Sequence, residues 1–112
     1  MIGIDIVDLS RIDISSESFR RHLLTEEEEL EYQQKRIDSR RREYIGGRFA
    51  AKEAIFKASG IQDVLSLSVL TSESGKPYVK DHPEIDVSIS HDGGYAVAAA
   101  VLKEEGCVWQ TE

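Results

Sequence analysis

Glu53 and Lys57 stand one helical turn apart in the run Phe49-Ala50-Ala51-Lys52-Glu53-Ala54-Ile55-Phe56-Lys57-Ala58. A second carboxylate, Asp5, lies far off in sequence, within the apolar run Met1-Ile2-Gly3-Ile4-Asp5-Ile6-Val7. At roughly 100° per residue, Ile45, Phe49 and Phe56 are expected to form one buried stripe of a helix. Glu53 then falls at the border of that stripe, with Lys57 just beyond it on the same face. Two carboxylates from separate elements, with an amine beside them, suit a magnesium ion holding a phosphate-bearing substrate, because that ion takes its remaining ligands from water and phosphate oxygens. Zinc is a poor fit: the chain has three scattered histidines and one cysteine, Cys107, so no zinc-type ligand spacing exists. The plain alternatives are a solvent-facing Asp5 set by strand alternation, and an exposed Glu53 paired to Lys57 at i+4.

His91 is the third chemical candidate. It is expected where a strand meets its turn, with Asp92 adjacent, and could donate to a phosphate or ease proton movement. The alternative is a turn histidine bonded to backbone. No Ser-His-Asp spacing and no recognised glycine-rich phosphate loop can be read.

The elements that would position these groups follow from local signals. Residues 1–8 alternate and are rich in Ile and Val, which predicts a strand. Ser15-Ser16-Glu17 opens a short helix to about Leu24. Thr25 with Glu28 gives a capping box for a second helix, and the acids Glu26 to Glu29 suit its dipole. Asp38 or Ser39 can cap a long helix to about Ser59, stopped by Gly60. Gly46-Gly47 within it costs about 1 kcal/mol per glycine relative to alanine; with Ala50, Ala51, Ala54 and Ala58 it makes a slim surface for close packing. The period then changes. Val64 to Leu70, Tyr78-Val79, Ile85 to Ser90 and Tyr95 to Leu102 read as strands. His91-Asp92-Gly93-Gly94 reads as a hairpin turn. Ala96 to Val101 predicts a strand buried on both faces. The tail from Glu104 reads as loose. The order is α+β.

With 112 residues, 40% hydrophobic and 31% charged, the chain is expected to be a single globular domain, 1–112. No apolar run reaches spanning length, so no membrane role is expected. One cysteine allows no internal disulfide, which fits a cytoplasmic setting and an inert thiol. A net charge of −7 argues against nucleic-acid binding. The charge is uneven: residues 1–57 hold 11 of the 14 Lys and Arg, so the basic surface belongs to the first half. These cations are either solvated helix faces or a local surface for phosphates or an acidic protein.

Taken together, Gly3-Ile4-Asp5-Ile6 followed by Arg11, Gly47-Arg48-Phe49-Ala50-Ala51-Lys52-Glu53-Ala54 with Lys57-Ala58, Gly75-Lys76-Pro77, and Val87-Ser88-Ile89-Ser90-His91 resemble the holo-acyl carrier protein synthases. These are the short bacterial type of 4′-phosphopantetheinyl transferase, and the likeness spans residues 1 to about 103. It implies an antiparallel sheet wrapped on a long central helix, a half-unit that oligomerises, as a homotrimer with sites at its interfaces. It implies transfer of the phosphopantetheine arm of coenzyme A to a serine of apo-acyl carrier protein, serving fatty acid biosynthesis, with adenosine 3′,5′-bisphosphate as the other product. By resemblance, Asp5 and Glu53 hold magnesium. Glu53, Lys57 and His91 are catalytic, while Arg48, Lys52, Lys57, Lys76 and His91 bind coenzyme A. Arg11, Phe19, Arg20 and Arg21 dock the carrier. The carrier serine needs a base: Glu53 through a metal-bound water is the first choice, Glu28 or Glu29 a distant second. The chain departs from the family pattern after Ala58, where a usually longer glycine-rich loop is cut to Ser59-Gly60-Ile61-Gln62-Asp63. A non-catalytic module that binds coenzyme A or a carrier protein is the alternative this loop suggests.

Overall fold

The computed structural model describes residues 1–103; the tail expectation and Cys107 lie outside the described residues. Strand β1 (Ile2–Asp8) opens the chain. Helices α1 (Glu17–Leu23) and α2 (Glu26–Gln33) follow, then the long α3 (Asp38–Ser59). Strands β2 (Val69–Thr71) and β3 (Pro77–Val79) form a small hairpin, and β4 (Ile85–Asp92) and β5 (Tyr95–Leu102) a long one. The main sheet is antiparallel, in the order β1-β5-β4, and α3 lies across it.

Caps fix the helix starts. Ser16 accepts from Phe19 N at α1, and the Thr25–Glu28 capping box is formed at α2. Helix α3 begins at Asp38, but Ile37 occupies the cap and no side chain bonds there, so neither Asp38 nor Ser39 caps it. Gly60, at φ +82°, ends it with its N–H on the Phe56 carbonyl, a turn that only glycine adopts freely.

Close approach of helix and sheet explains the small residues. A Cβ at Gly3 would lie 2.0 Å from the Ala54 carbonyl oxygen, so β1 rests on the backbone of α3. Gly46 faces Leu9 and Gly47 faces Ile89 and His91 in the same manner; these two glycines serve packing. Ala50, Ala51, Ala54 and Ala58 meet Ala98 and Ala100 in the core.

Four expectations are corrected. Val64 to Leu70 is not one strand. Val64–Ser66 is a 3-10 turn capped by Asp63, and only Val69–Thr71 pairs. The turn aims the Val64 carbonyl at Lys52, a buried demand that strand-like alternation cannot show. Phe56 is 38% exposed, so the buried stripe of α3 runs through Ile45, Ile55 and the alanines instead. His91 belongs to β4 itself, because the turn is only Gly93-Gly94, both at positive φ. Finally, β5 is buried on one face only: Ala96, Ala98 and Ala100 point to α3, whereas Val97 is 38% exposed.

Strand β1 shows the same one-sided burial. Gly3, Asp5 and Val7 face α3, while Ile2, Ile4 and Ile6 point outward at 63, 57 and 61% exposure. The register sets Ile2 opposite Val101, Ile4 opposite Ala99 and Ile6 opposite Val97. The outer face of the sheet thus carries an apolar stripe, and the carboxylate lies on the inner side. This inverts the usual rule for a half-exposed sheet.

Candidate active site

The inward face of β1 brings Asp5 against the last two turns of α3. Lys57 donates from Nζ to the Ile4 carbonyl at 2.9 Å and to Asp5 Oδ1 at 3.2 Å. The lysine side chain is 49% exposed and the aspartate 19%. An ion pair this open is worth little to stability, under about 1 kcal/mol. It leaves Oδ2 and the third ammonium N–H for a ligand. Glu53 stands four residues before Lys57, hence on the same helix face. It is partly buried, and among the described residues no donor bonds its carboxylate. It borders a hollow of about 130 Å³ between α1 and α3, walled by Phe19, Leu23, Phe49 and Val64. The Phe19 and Phe49 rings lie 6.1 Å apart.

Among the described residues no three or more of His, Cys, Asp and Glu gather as a metal cage. A pair of hard carboxylates with open oxygens fits magnesium that completes its shell with water and phosphate oxygens. Among the described residues, Asp5 and Glu53 are carboxylates that could hold such an ion.

His91 is exposed on β4, beside Gly47: a Cβ at Gly47 would lie 3.4 Å from Nε2. Ten residues of α3 separate Gly47 from Lys57, about 15 Å along the helix axis. His91 therefore belongs to a second locus. It lines one hollow with Ser39, Arg42 and Glu43 and another with Lys35, Arg40, Arg48 and Thr71. Lys76 is exposed in the β2–β3 turn, beside a third hollow that includes Tyr78, Asp86 and Ser88. Asp5 and Lys57 on one side, and His91 with the arginines of α3 on the other, do not meet within one chain.

Two basic residues are spent inside the fold. Lys52 is fully buried and donates to Glu28 Oε1 at 2.6 Å, Leu23 O at 2.7 Å and Val64 O at 2.9 Å. Those three bonds saturate its ammonium, so Lys52 has no N–H left for a coenzyme phosphate. Burial pushes its pKa down, and the Glu28 carboxylate opposes that shift. Arg48 is also buried. It donates from Nε to Val69 O, and from Nη2 to Thr71 Oγ1 at 2.8 Å and Glu31 Oε1 at 3.3 Å. Its guanidinium covers Tyr44 at 4.1 Å. Glu31 accepts the Tyr44 hydroxyl as well, and burial pushes that phenol's pKa far up.

Helix α2 organises this pattern, and the sequence reading missed it. Glu28 and Glu31, at i and i+3, face Lys52 and Arg48, at i and i−4. The same two carboxylates take the β2 amides, Glu28 that of Val69 at 2.8 Å and Glu31 that of Thr71 at 2.9 Å. The matched spacings of acids and bases are visible in the sequence; their pairing is not. Glu28, with both oxygens occupied inside the fold, is excluded as a base. Glu29 is paired to Arg20 at 3.0 Å.

The docking candidates divide likewise. Arg11 and Arg21 are exposed, and Arg21 makes only a surface pair with Glu17. Arg20 is held by Glu29 and lies over Tyr32 at 4.6 Å, which makes it part of the α1–α2 packing. Phe19 keeps one side toward the hollow.

Residues 1–100 match the model of the 4′-phosphopantetheinyl transferase superfamily, and the chain belongs to that superfamily. More closely, it is similar to holo-[acyl-carrier-protein] synthases. It is 44% identical to that of an Exiguobacterium species over 94% of this chain and 93% of the relative, and 45% identical to that of Halalkalibacterium halodurans over 90% and 92%. The fold superposes on the holo-(acyl-carrier-protein) synthase of Bacillus anthracis in complex with CoA (3′,5′-ADP), with a TM-score of 0.79 and 37% identity, covering 90% of this chain and 93% of that one. It also superposes on the Helicobacter pylori enzyme in complex with coenzyme A, with a TM-score of 0.73 and 30% identity, covering 92% and 100%.

Proposed function

We propose that this chain transfers the 4′-phosphopantetheine group of coenzyme A to a serine of apo-acyl carrier protein, releasing adenosine 3′,5′-bisphosphate. The observation that carries the reading is the inward Asp5, held by Lys57 one helical turn from Glu53, in a chain that belongs to this superfamily. The serine oxygen forms a bond to the pantetheine-bearing phosphorus of the coenzyme's pyrophosphate. The bond from that phosphorus to the bridging oxygen breaks, and the bridging oxygen keeps the electron pair as it leaves. Magnesium, held by Asp5 and Glu53, would supply charge neutralisation for the pyrophosphate. Lys57 presents its remaining N–H to the leaving oxygens, where negative charge grows. Such a reaction needs positioning and cations more than covalent help. Glu53 takes the serine proton, Glu28 being locked inside and Glu29 paired.

Four further assignments belong to the same proposal. Arg11, Arg21 and Phe19 form the carrier-docking face of α1 and its approach, where charge mainly steers and orients an acidic partner. His91, Lys76 and the arginines early in α3 hold the nucleotide end of coenzyme A. In the homotrimer proposed here the coenzyme spans residues of two subunits, its nucleotide end at the His91 locus and its pyrophosphate beside Lys57. The apolar stripe of Ile2, Ile4 and Ile6 is the subunit contact of a homotrimer. Among the described residues no helix is long and apolar enough to cross a membrane, and the assignment is cytoplasmic. The test is direct: purified protein, coenzyme A, magnesium and an apo carrier should yield a carrier heavier by one phosphopantetheine. Coenzyme binding without any gain in carrier mass would mark a non-catalytic module instead.

A further inference from the structure

Lys52 stands next in sequence to Glu53, yet its ion pair with Glu28 is fully buried. Its ammonium reaches the last residue of α1 (Leu23 O), the second helix (Glu28 Oε1) and the turn after α3 (Val64 O). Glu28 extends the same knot to the α1–α2 corner, taking Thr25 N at 2.8 Å, and to β2, taking Val69 N at 2.8 Å. Five segments are thus tied to one point of α3. Leu23, Val64 and the lysine stem also line the hollow that has Phe19 and Glu53 on its rim. The position of α1 relative to the Glu53 carboxylate is set by these bonds.

Stability alone is a poor reason for this arrangement. A buried ion pair recovers its desolvation cost only with good geometry, and apolar replacements are often as stable. What the pair adds is direction: each bond holds its donor and acceptor within a narrow range of length and angle.

We infer that Lys52 and Glu28 are positioning residues that set the separation between the carrier-docking helix α1 and the catalytic carboxylate Glu53. This rests on the transferase reading above. The pair makes no contact with Asp5 or Lys57 and holds the protein side that meets the carrier. Its loss should therefore act on the carrier and spare coenzyme binding.

The experiment uses the double variant K52M/E28Q, in which no buried charge is left unpaired and the amide oxygen of the new side chain keeps the capping-box acceptor. A milder variant, T25A, loosens the same corner by removing the Thr25 Oγ1 acceptor for Glu28 N and the hydroxyl bond to Ser68 Oγ. Thermal melts establish folding, and calorimetry with magnesium and coenzyme A, without carrier, reads the metal–pyrophosphate site. Steady-state kinetics then vary the carrier alone. The expected result for K52M/E28Q is unchanged coenzyme affinity with kcat/KM for the carrier down roughly ten- to hundredfold, the scale of a misplaced reacting group. T25A should show the same split more weakly. Folded variants with wild-type carrier kinetics would overturn the inference. So would an equal loss of coenzyme affinity, since the pair would then support the metal site. If K52M/E28Q does not fold, T25A decides between the same outcomes. A wild-type protein that never modifies a carrier would instead sink the transferase reading, independently of these variants.

Discussion

Lys57 reaches from the last turn of α3 back to the first strand, its Nζ 2.9 Å from the Ile4 carbonyl and 3.2 Å from the Asp5 carboxylate. One side chain thereby marks the meeting of two segments separated by 52 residues. The pairing is half open, so a fixed cation stands beside a fixed anion, each with a hydrogen-bonding position left for a ligand.

Asp5→Asn and Glu53→Gln should each lower kcat/KM by about 10²–10³ or more, the scale of lost electrostatic stabilisation at a developing charge. The fold should persist, because neither carboxylate supports the core and Asp5 forms only a partly exposed pair. Circular dichroism and a magnesium titration of coenzyme binding check this. Lys57→Ala should lower kcat more than it raises KM for coenzyme A, as expected for a group that acts on charge formed during transfer.

Gly3 carries a different expectation. An added methyl would sit 2.0 Å from the Ala54 carbonyl, and a helix backbone cannot yield as a side chain can. Gly3→Ala should destabilise at or above the roughly 3 kcal/mol upper end of overpacking. It should also shift Asp5 away from Glu53, so activity should fall even below the melting temperature. Urea unfolding with parallel assays reads both. Gly60→Ala tests the glycine requirement separately, since its cost lies in the positive φ rather than in contact.

The same residues show what the sequence could and could not tell. Strand β1, the α2 capping box, the end of α3 at Gly60 and the β4–β5 hairpin are local, and local signals place them. Asp5 stands out in the sequence because a carboxylate among isoleucines is costly to bury unpaired, and Glu53 and Lys57 stand out by their i, i+4 spacing on one helix face. Which face Asp5 takes was not: Ile2, Ile4 and Ile6 look like core residues, and only the helix on the other side reverses them. The basic α3 residues failed for a similar reason. Lys52 and Arg48 read as phosphate ligands until Glu28 and Glu31, on another helix, claim them. Long-range pairing of charges leaves no periodic trace. The segment 64–70 also resisted, since its alternation suits a strand but its first residues are turned to supply Lys52.

Acid should weaken the fold through two capping aspartates. Asp8 accepts from Ser10 N and Oγ, and Asp13 from Ser15 N and Oγ. These bonds favour the charged carboxylates and hold both below the ordinary 3.8. A carboxyl lowered in the folded state contributes stability that is complete above its unfolded value near 3.8. That contribution drains as pH falls through the lower folded value. Stability measured by urea at a series of acid pH values should drop in that window. The D8N/D13N variant, which keeps the amide-accepting oxygen but cannot titrate, should show a shallower drop. An unchanged acid slope would mean that other carboxylates carry the effect.

The outer face of the sheet makes the last prediction, and it bears on the whole site. Ile2, Ile4 and Ile6 form an apolar stripe on β1, bordered by Val97 and Val101 on β5. Leaving that face in water forfeits about 25 cal/mol per Å² of apolar area that a subunit contact would recover. Ile4→Lys placed at its centre should dissociate the proposed homotrimer, which sedimentation reads directly, while each subunit keeps its core. If the site is shared between subunits as proposed, such subunits should be inactive although Asp5, Glu53, Lys57 and His91 are all intact. Mixing two separately inactive proteins, Asp5→Asn and His91→Ala, supplies the complement. In a shared site, some interfaces receive an intact Asp5 from one subunit and an intact His91 from the other, so refolding the mixture should restore part of the activity. Sites confined to single subunits would give no recovery, whatever the mixing ratio.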